Sequence, residues 1–269
     1  MPSTAERLKH VTLKLSRAQS HLRNLEQDQS AFFATNPYKV AAKHDAQSRK
    51  VVYYVASADP IPDTIALIAG DVIQNLMSAL DHLAYQLVCR NTGDKPPNPR
   101  GIYFPIADDA AAYEGNKQRT MDGARKVTFA ALDAIKPYKG GNDLLWQLHR
   151  LNNIEKHRLL LTVGSQAAGV NISQIMANVP DNPFPPDAIV AMEAMSIFLK
   201  PADKGFPLQP GFELYIGAVD EKINPKQQFA FDIALNEAGI VEGEPLVKTL
   251  RGLMGATETA IKTLEPQLK

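Results

Sequence analysis

Cysteine is almost absent from this sequence, and so is any long apolar run. Cys89 is the one cysteine among 269 residues, which excludes an internal disulfide and is typical of a reducing compartment. Residues 1–10, MPSTAERLKH, lack the apolar core of a secretory signal peptide. Asp71, Gln74 and Asn75 interrupt the most apolar stretch, so no segment reaches the roughly 18 apolar residues of a membrane-spanning helix. The sequence therefore predicts a cytoplasmic protein without a membrane partner.

The chain also lacks an excess of either charge. Lys and Arg together number 29, as do Asp and Glu, so no global positive field attracts nucleic acid or an anionic membrane. The charge is unevenly distributed, because residues 117–158 contain nine basic and four acidic side chains, which gives this segment +5. The segment is either a local surface for binding anions or a solvated face of the protein.

The N-terminal residues predict a long amphipathic helix. Ser3 and Glu6 form a capping box, and the apolar pattern continues until shortly before Pro37. The apolar seam consists of Leu8, Val11, Leu15, Ala18, Leu22, Leu25 and Phe32. A seam this narrow needs a partner, either another helix of the chain or a second copy. Because it is long as well as narrow, we expect a homodimer through the N-terminal helix.

A β-hairpin and a second long helix follow. Residues 38–42 and 51–55 read as two strands, with a polar loop over 43–50. Pro62 can open the next helix, which extends to about Arg90. This helix is apolar on nearly every side, which predicts a central position in the core.

The second half of the chain mixes helices and strands. Residues 93–125 read as a long connection that includes a short apolar plug at 103–106. A short helix is predicted at 127–135, and Asn142 can cap the helix after it.

The last hundred residues predict a sheet and a terminal helix. Apolar residues alternate with polar or small ones at 212–218 and 229–235, which is typical of an antiparallel sheet with one solvated face. Residues 159–163 and 189–199 are candidates for further strands. A C-terminal helix is predicted over 242–264.

These elements predict an α+β fold. It begins with a long helix, a β-hairpin and buried core helices, and it continues with a mainly antiparallel sheet and a C-terminal helix. We divide the chain into a helical part with the hairpin, residues 1–165, and a sheet with the terminal helix, residues 166–269. The two parts are expected to pack as one unit.

Polar residues form a stripe on each of two helices that are otherwise apolar. The first stripe consists of Asp71, Asn75, Ser78 and His82, and the second consists of His149, Asn153 and His157. Spacings of three and four residues place each set on one helix face. An unpaired buried polar group costs about 1–3 kcal/mol, so two such stripes are expected to face each other and share a network.

Three interpretations of the stripes stay open. The first is a buried polar network that fixes the packing of the helices. The second is a binding or catalytic site. The third is a metal site, for which His82, His149, His157, Asp71 and Glu155 carry suitable atoms, although they do not fall in a known ligand pattern.

Two sequence blocks resemble the signature of a family of uncharacterised bacterial proteins. "GDVIQNLMSALDHLAYQLV" (70–88) is similar to a block that commonly reads "HNLRSALDHL", and "LHRLNNIEKHRLLL" (148–161) is similar to "LxxIDKHR". The first block of that family resembles the Arg–His motif of the HEPN superfamily. Many HEPN proteins are metal-independent ribonucleases whose Arg and His act at a dimer interface, on the 2′-hydroxyl and the scissile phosphate.

The resemblance implies a HEPN-like helical core but not a complete ribonuclease site. His82 matches the family histidine, whereas Met77 stands where the family has arginine. Glu155 replaces an aspartate, and the second block offers Arg150 and His157 as a further Arg–His pair. Met77 cannot hold a phosphate, so the resemblance implies degenerate or absent ribonuclease activity, with any cation supplied from elsewhere.

Three functions follow from these interpretations. The first is a HEPN-like protein that binds RNA or nucleotide, with His82, His157 and Arg150 nearest the chemistry. Its binding residues would be Asp71, Asn75, Ser78, His149, Asn153 and Arg158. The second is a non-enzymatic structural or interaction protein whose stripes are a packing network. The third is a metal-dependent hydrolase. The HEPN-like function requires no cofactor.

Overall fold

A computed structural model describes residues 2–157, 163–177, 183–200 and 206–269 of the chain. These residues form eight α-helices and seven β-strands in an α+β fold, which confirms the predicted class. The helices are α1 (Thr4–Ala34), α2 (Asp63–Thr92), α3 (Ala110–Thr120), α4 (Lys126–Ile135), α5 (Asp143–His157), α6 (Ile172–Ala177), α7 (Pro186–Ala194) and α8 (Leu246–Leu264). The strands are β1 (Tyr38–Asp45), β2 (Lys50–Ala58), β3 (Val163–Asn171), β4 (Phe198–Leu199), β5 (Glu213–Val219), β6 (Phe229–Glu237) and β7 (Val241–Pro245).

Helix α1 begins at the predicted capping box and buries its seam within the chain. The Glu6 backbone N–H donates to the Ser3 hydroxyl at 3.2 Å, and the Ser3 N–H donates to the Glu6 carboxylate at 2.7 Å. Val11, Ala18 and Leu25 in the seam are at most 1% exposed, because α1 packs along α2. The expected homodimer rests on a seam that is narrow and long for a helix packed within the chain, and this premise is wrong, since α2 of the same chain covers the seam.

Helix α2 is the central helix of the fold, as its apolar sequence predicts. It contacts α1, α5 and α8, and most of its apolar side chains are fully buried. The helix ends at Gly93, whose φ of 63° lies in the left-handed region and whose N–H donates to the Cys89 carbonyl. Because α2 is covered on several sides, its polar residues are confined to one narrow face.

The strands form two antiparallel sheets, and the strands predicted at 212–218 and 229–235 lie in different sheets rather than in the same one. One sheet has the order β1–β2–β5, and the other has the order β4–β3–β6–β7. The predicted hairpin is present, but its strands extend to Asp45 and Lys50, which leaves four residues for the turn instead of eight. Strand β5 pairs with β2, and α8 packs on α2, so residues before and after the predicted boundary at 165 share a sheet and a core.

Several predicted elements differ from the structure. The connection 93–125 contains α3, which is too short and too polar to give a clear apolar period. Residues 189–194 belong to α7 rather than to a strand, and only Phe198–Leu199 pair in a sheet. Residues 241–245 form β7, so the terminal helix begins at Leu246. A strand was predicted over residues 159–163. Residues 159–162 lie outside the described residues, and Val163 is the first residue of β3.

Within the described ranges, each helix is too short or too polar to span a lipid bilayer.

Candidate functional site

The first polar stripe lies on the face of α2 that borders α1. The His82 ring lies 5.9 Å from the ring of His10 between centroids, and His21 Nδ1 lies 3.7 Å from an Asp71 carboxylate oxygen. The Asn75 side-chain amide donates to the Asp71 carbonyl of its own helix at 2.8 Å. The partner of this stripe is therefore α1.

The second polar stripe lies on a side of α5 that does not face the first stripe. The Trp146 indole N–H, one turn before His149, donates to an Asp108 carboxylate oxygen at 2.8 Å. His149 is in hydrogen-bond contact with Asn153 of its own helix at 3.1 Å. Burial lowers the pKa of His149, and the negative charge of Asp108 opposes this. The second stripe thus faces the segment around Asp108.

The prediction that the two stripes meet is wrong. Where α5 approaches α2, the Glu155 side chain fills the space beside Gly70, and a Cβ at position 70 would lie 2.5 Å from the Glu155 carboxylate. Burial raises the pKa of Glu155, and the negative charge of Asp71 raises it further. The two helices therefore meet through Gly70 and Glu155, which leaves the first stripe partly exposed beside α1.

The remaining predicted site residues are dispersed. Arg150 Nη1 lies 3.8 Å from an Asp108 carboxylate oxygen, on the side of α5 that carries the second stripe. His157 is exposed at the end of α5. Arg158 lies outside the described residues. Of the residues predicted to be nearest the chemistry, only His82 lies on the surface between α1 and α2.

His10, Lys14 and His82 form a cationic cluster on the surface between α1 and α2. The two imidazole rings are inclined at 60° to each other, and both histidines are exposed. Burial lowers the pKa of His82, and the positive charges of His10 and Lys14 lower it further. Positive groups that repel one another in this way are stabilised by a bound anion.

His10 and Lys14 are not among the predicted site residues, although the sequence carries a signal for them. His10, Lys14, Arg17 and His21 follow one another at intervals of four, three and four residues. The first stripe of α2 has the same spacing, and the two sets lie side by side because α1 and α2 are antiparallel neighbours. The equal spacing of polar residues on the two helices could have identified α1 as the neighbour of the first stripe.

Met77 is not on the face of α2 that carries His82. Its side chain is 4% exposed and belongs to the hydrophobic core. Five residues of helix correspond to about 140° of rotation, so positions 77 and 82 point to different sides. An arginine at position 77 would enter the core, whereas the positive charge of Lys14 on α1 acts on His82.

Asp81 anchors the segment before α3 rather than contributing to the exposed surface. One carboxylate oxygen accepts the Phe104 backbone N–H at 3.0 Å. Burial raises the pKa of Asp81, against the lowering effects of this hydrogen bond and of Lys156. The folded state therefore binds a proton at Asp81 more readily than the unfolded chain does.

We expect Asp81→Asn to be at least as stable as the native chain at pH 7, because the amide oxygen keeps the hydrogen bond and no buried charge remains. Its advantage should shrink as the pH falls toward the ordinary aspartate pKa of about 3.9. Asp81→Ala should cost about 1–3 kcal/mol, because the Phe104 N–H loses its acceptor. Urea unfolding across this pH range measures both effects, and equal losses in the two variants would contradict the assignment.

Some basic residues of segment 117–158 are used in contacts within the fold, which makes them less available to an anion. The buried Lys117 ammonium pairs with Asp133 at 2.7 Å. The Lys139 ammonium lies 4.6 Å from the centroid of the Trp146 ring. Much of the positive charge of this segment is thus used in contacts within the fold.

No group of three or more His, Cys, Asp or Glu side chains in the described part of the chain is arranged to hold a metal ion. The histidines considered for a metal site lie on separate surfaces, since His82 faces α1 and His149 faces Asp108. The third interpretation therefore has no ligand set among these residues.

A scan against protein-family models, a search of curated proteins and a search of solved structures find no match to this chain.

Proposed function

We propose that this protein is a cytoplasmic RNA-binding protein that holds the phosphate backbone of single-stranded RNA at the cationic cluster. The observation that carries the proposal is the placement of His10, Lys14 and His82 together on an exposed helix surface. The resemblance to HEPN proteins supports the same substrate class, because His82 occupies the position of the family histidine.

The chemistry of the cluster suits a phosphodiester. Imidazolium and ammonium groups donate charge-assisted hydrogen bonds to phosphate oxygens. Each phosphate contacted by a cation releases bound counter-ions, which makes the affinity dependent on salt. Hydroxyl and amide groups of Ser78 and Asn75 continue along the same face of α2 and can contact sugar or phosphate oxygens.

Partial exposure distinguishes this proposal from a purely structural role. A packing network requires a dry surface whose polar groups pair with one another. Here Asp71 and His82 are exposed, and Asn75 and Ser78 are half-buried. A surface of this kind is accessible to a ligand.

RNA binding should be coupled to proton uptake. Burial and the positive charges of His10 and Lys14 lower the pKa of His82 in the free protein. A phosphate beside His82 would raise that pKa again, so affinity should increase as the pH falls from 8 to 5.5.

The slope of log affinity against log salt concentration tests the proposal. If His10, Lys14 and His82 each pair with a phosphate, we expect a slope of about −2 at pH 5.5 and a shallower slope at pH 8. His82→Gln should reduce the slope at pH 5.5 to about −1.4. Fluorescence anisotropy of a labelled single-stranded RNA oligonucleotide measures these values.

His44→Gln is the matched control, since His44 is an exposed histidine of β1 and lies outside the cluster. It should leave the slope unchanged. An unchanged slope in His82→Gln, or no binding at pH 5.5 and low salt, would exclude the cluster as an RNA site. We expect no cleavage of the RNA in EDTA, because Met77 replaces the family arginine and is buried.

We also propose that the protein forms a homodimer, through the outer side of α1 rather than through its apolar seam. Active HEPN enzymes act at a dimer interface, and the outer side of α1 is available to a second copy because the seam faces α2. Leu13 on this outer side is 58% exposed. Light scattering at micromolar concentration, with and without RNA, determines the oligomeric state.

A further inference from the structure

A cleft lies between the C-terminal half of α1, strand β6 and the start of α8, toward the other end of α1 from the cationic cluster. Its volume is about 480 Å³, which is in the usual range for small-molecule sites. The residues that line it and carry useful chemistry are Glu26, Gln29, Phe33, Asp232, Lys248 and Arg251. The cleft therefore combines an aromatic face, an acceptor and cations.

Two hydrogen bonds hold the Asp232 carboxylate in place through Oδ1, and neither of them uses Oδ2. Its Oδ1 accepts the Gln29 side-chain amide at 2.8 Å and the Ile233 backbone N–H at 2.8 Å. A carboxylate offers about four acceptor sites, two on each oxygen. The two bonds fill Oδ1, so Oδ2 keeps two acceptor sites for donors of a ligand.

The Phe33 ring supplies a flat apolar surface beside this acceptor. Phe33 lines the cleft and also a neighbouring pocket of about 460 Å³, whose wall includes Tyr38 and Phe231. The Phe33 and Tyr38 rings are 6.2 Å apart between centroids, and Tyr38 and Phe231 are 4.5 Å apart. A planar ring in the cleft can stack on Phe33 with other aromatic rings behind it.

The charges at the cleft favour an anionic ligand over a cationic one. Arg251 pairs with Glu26 at 2.8 Å, which neutralises both. Lys248 is exposed and has no ion-pair partner within the residues that the structure describes. Burial raises the pKa of Asp232, and the hydrogen bonds from Ile233 and Gln29 and the positive charge of Lys200 oppose this. A ligand that carries a phosphate is thus better matched than a guanidinium group.

We propose that this cleft binds a guanine nucleotide, with the base stacked on Phe33, its N1–H and N2–H donating to Asp232 Oδ2, and its phosphate paired with Lys248. Guanine suits an acceptor-only group because its Watson–Crick edge presents two adjacent N–H donors. Adenine and cytosine place a ring-nitrogen acceptor next to their amino group, and uracil flanks its single N–H with two carbonyls. This site is separate from the cationic cluster and does not rest on RNA binding there.

Isothermal titration calorimetry with GMP, IMP, AMP and L-arginine tests the proposal. IMP lacks the N2–H donors, and we expect it to bind roughly tenfold more weakly than GMP, with AMP weaker by roughly tenfold to a hundredfold. Equal affinities for GMP and AMP, binding of arginine in place of GMP, or no binding of GMP at millimolar concentration would each overturn it.

Variants of two residues locate the binding. Asp232→Asn keeps an acceptor for Gln29 and Ile233 but replaces the free oxygen by a donor, so GMP affinity should fall at least about tenfold. Phe33→Leu keeps an apolar side chain and removes the ring, so all purine nucleotides should bind more weakly. Lys262→Gln, an exposed change on α8, is the control and should not alter affinity. Melting curves show that each variant is folded, and unchanged GMP affinity in folded Asp232→Asn would contradict the assignment.

Discussion

Met77→Arg is expected to destabilise the fold rather than to create a ribonuclease. The resemblance to the bacterial family suggests that restoring arginine would restore activity. In the structure Met77 is 4% exposed within the core, so the guanidinium would be buried among apolar side chains. Burial of an unpaired charge is among the most damaging single changes, and we expect a loss of about 4 kcal/mol or more in the free energy of unfolding.

Urea unfolding of Met77→Arg and Met77→Leu separates the destabilising effect of the buried charge from that of the changed side-chain shape. Leucine fills a similar volume without charge and should cost less than about 1.5 kcal/mol. Both variants are then incubated with single-stranded RNA in EDTA, and neither should cleave it. A stable Met77→Arg protein that cleaves RNA would show that position 77 reaches the surface of His82, and the cationic cluster would lose its role as the substitute.

The fold was predictable where the signal is local. The capping box at Ser3 fixes the start of α1, and the glycine after α2 fixes its end, because both depend on residues only a few positions apart. The sequence could not show that the strands belong to two sheets. Alternating apolar and polar residues identify a strand, but they do not identify the strand that pairs with it. The pairing of β5 with β2 joins residues more than 150 positions apart, and no local pattern specifies it.

The site was predictable in part for the same reason. The spacing of Asn75, Ser78 and His82 correctly places them on one face of α2, since helix geometry is local. Which helix faces that stripe depends on packing, and α1 is the neighbour because its apolar seam matches α2 along nearly its full length. Helix α5 approaches instead at Gly70, where a missing side chain leaves room for Glu155. Helix faces can therefore be read from sequence, but their partners cannot.

Lys14→Glu should have the largest effect on ligand binding of any single change in the cationic cluster. The substitution places a carboxylate near His82 and beside the proposed phosphate. Like charges brought together at an interface cost several kcal/mol, so RNA affinity at low salt should fall at least about 30-fold. Lys262→Glu on α8 changes the net charge by the same amount at an exposed site away from the cluster, and it should alter affinity little.

The same variant gives a second readout that does not depend on RNA. In the native chain the positive charge of Lys14 lowers the pKa of His82. A glutamate at position 14 would instead favour the imidazolium, so the pKa of His82 should rise above that of the native chain, although burial still lowers it. Titration of the His82 ring by NMR measures this shift. If the pKa of His82 rises and RNA binding is nevertheless unchanged, the cluster is correctly placed but RNA binds elsewhere. If the pKa does not move, Lys14 does not act on His82 and the cluster itself is incorrect.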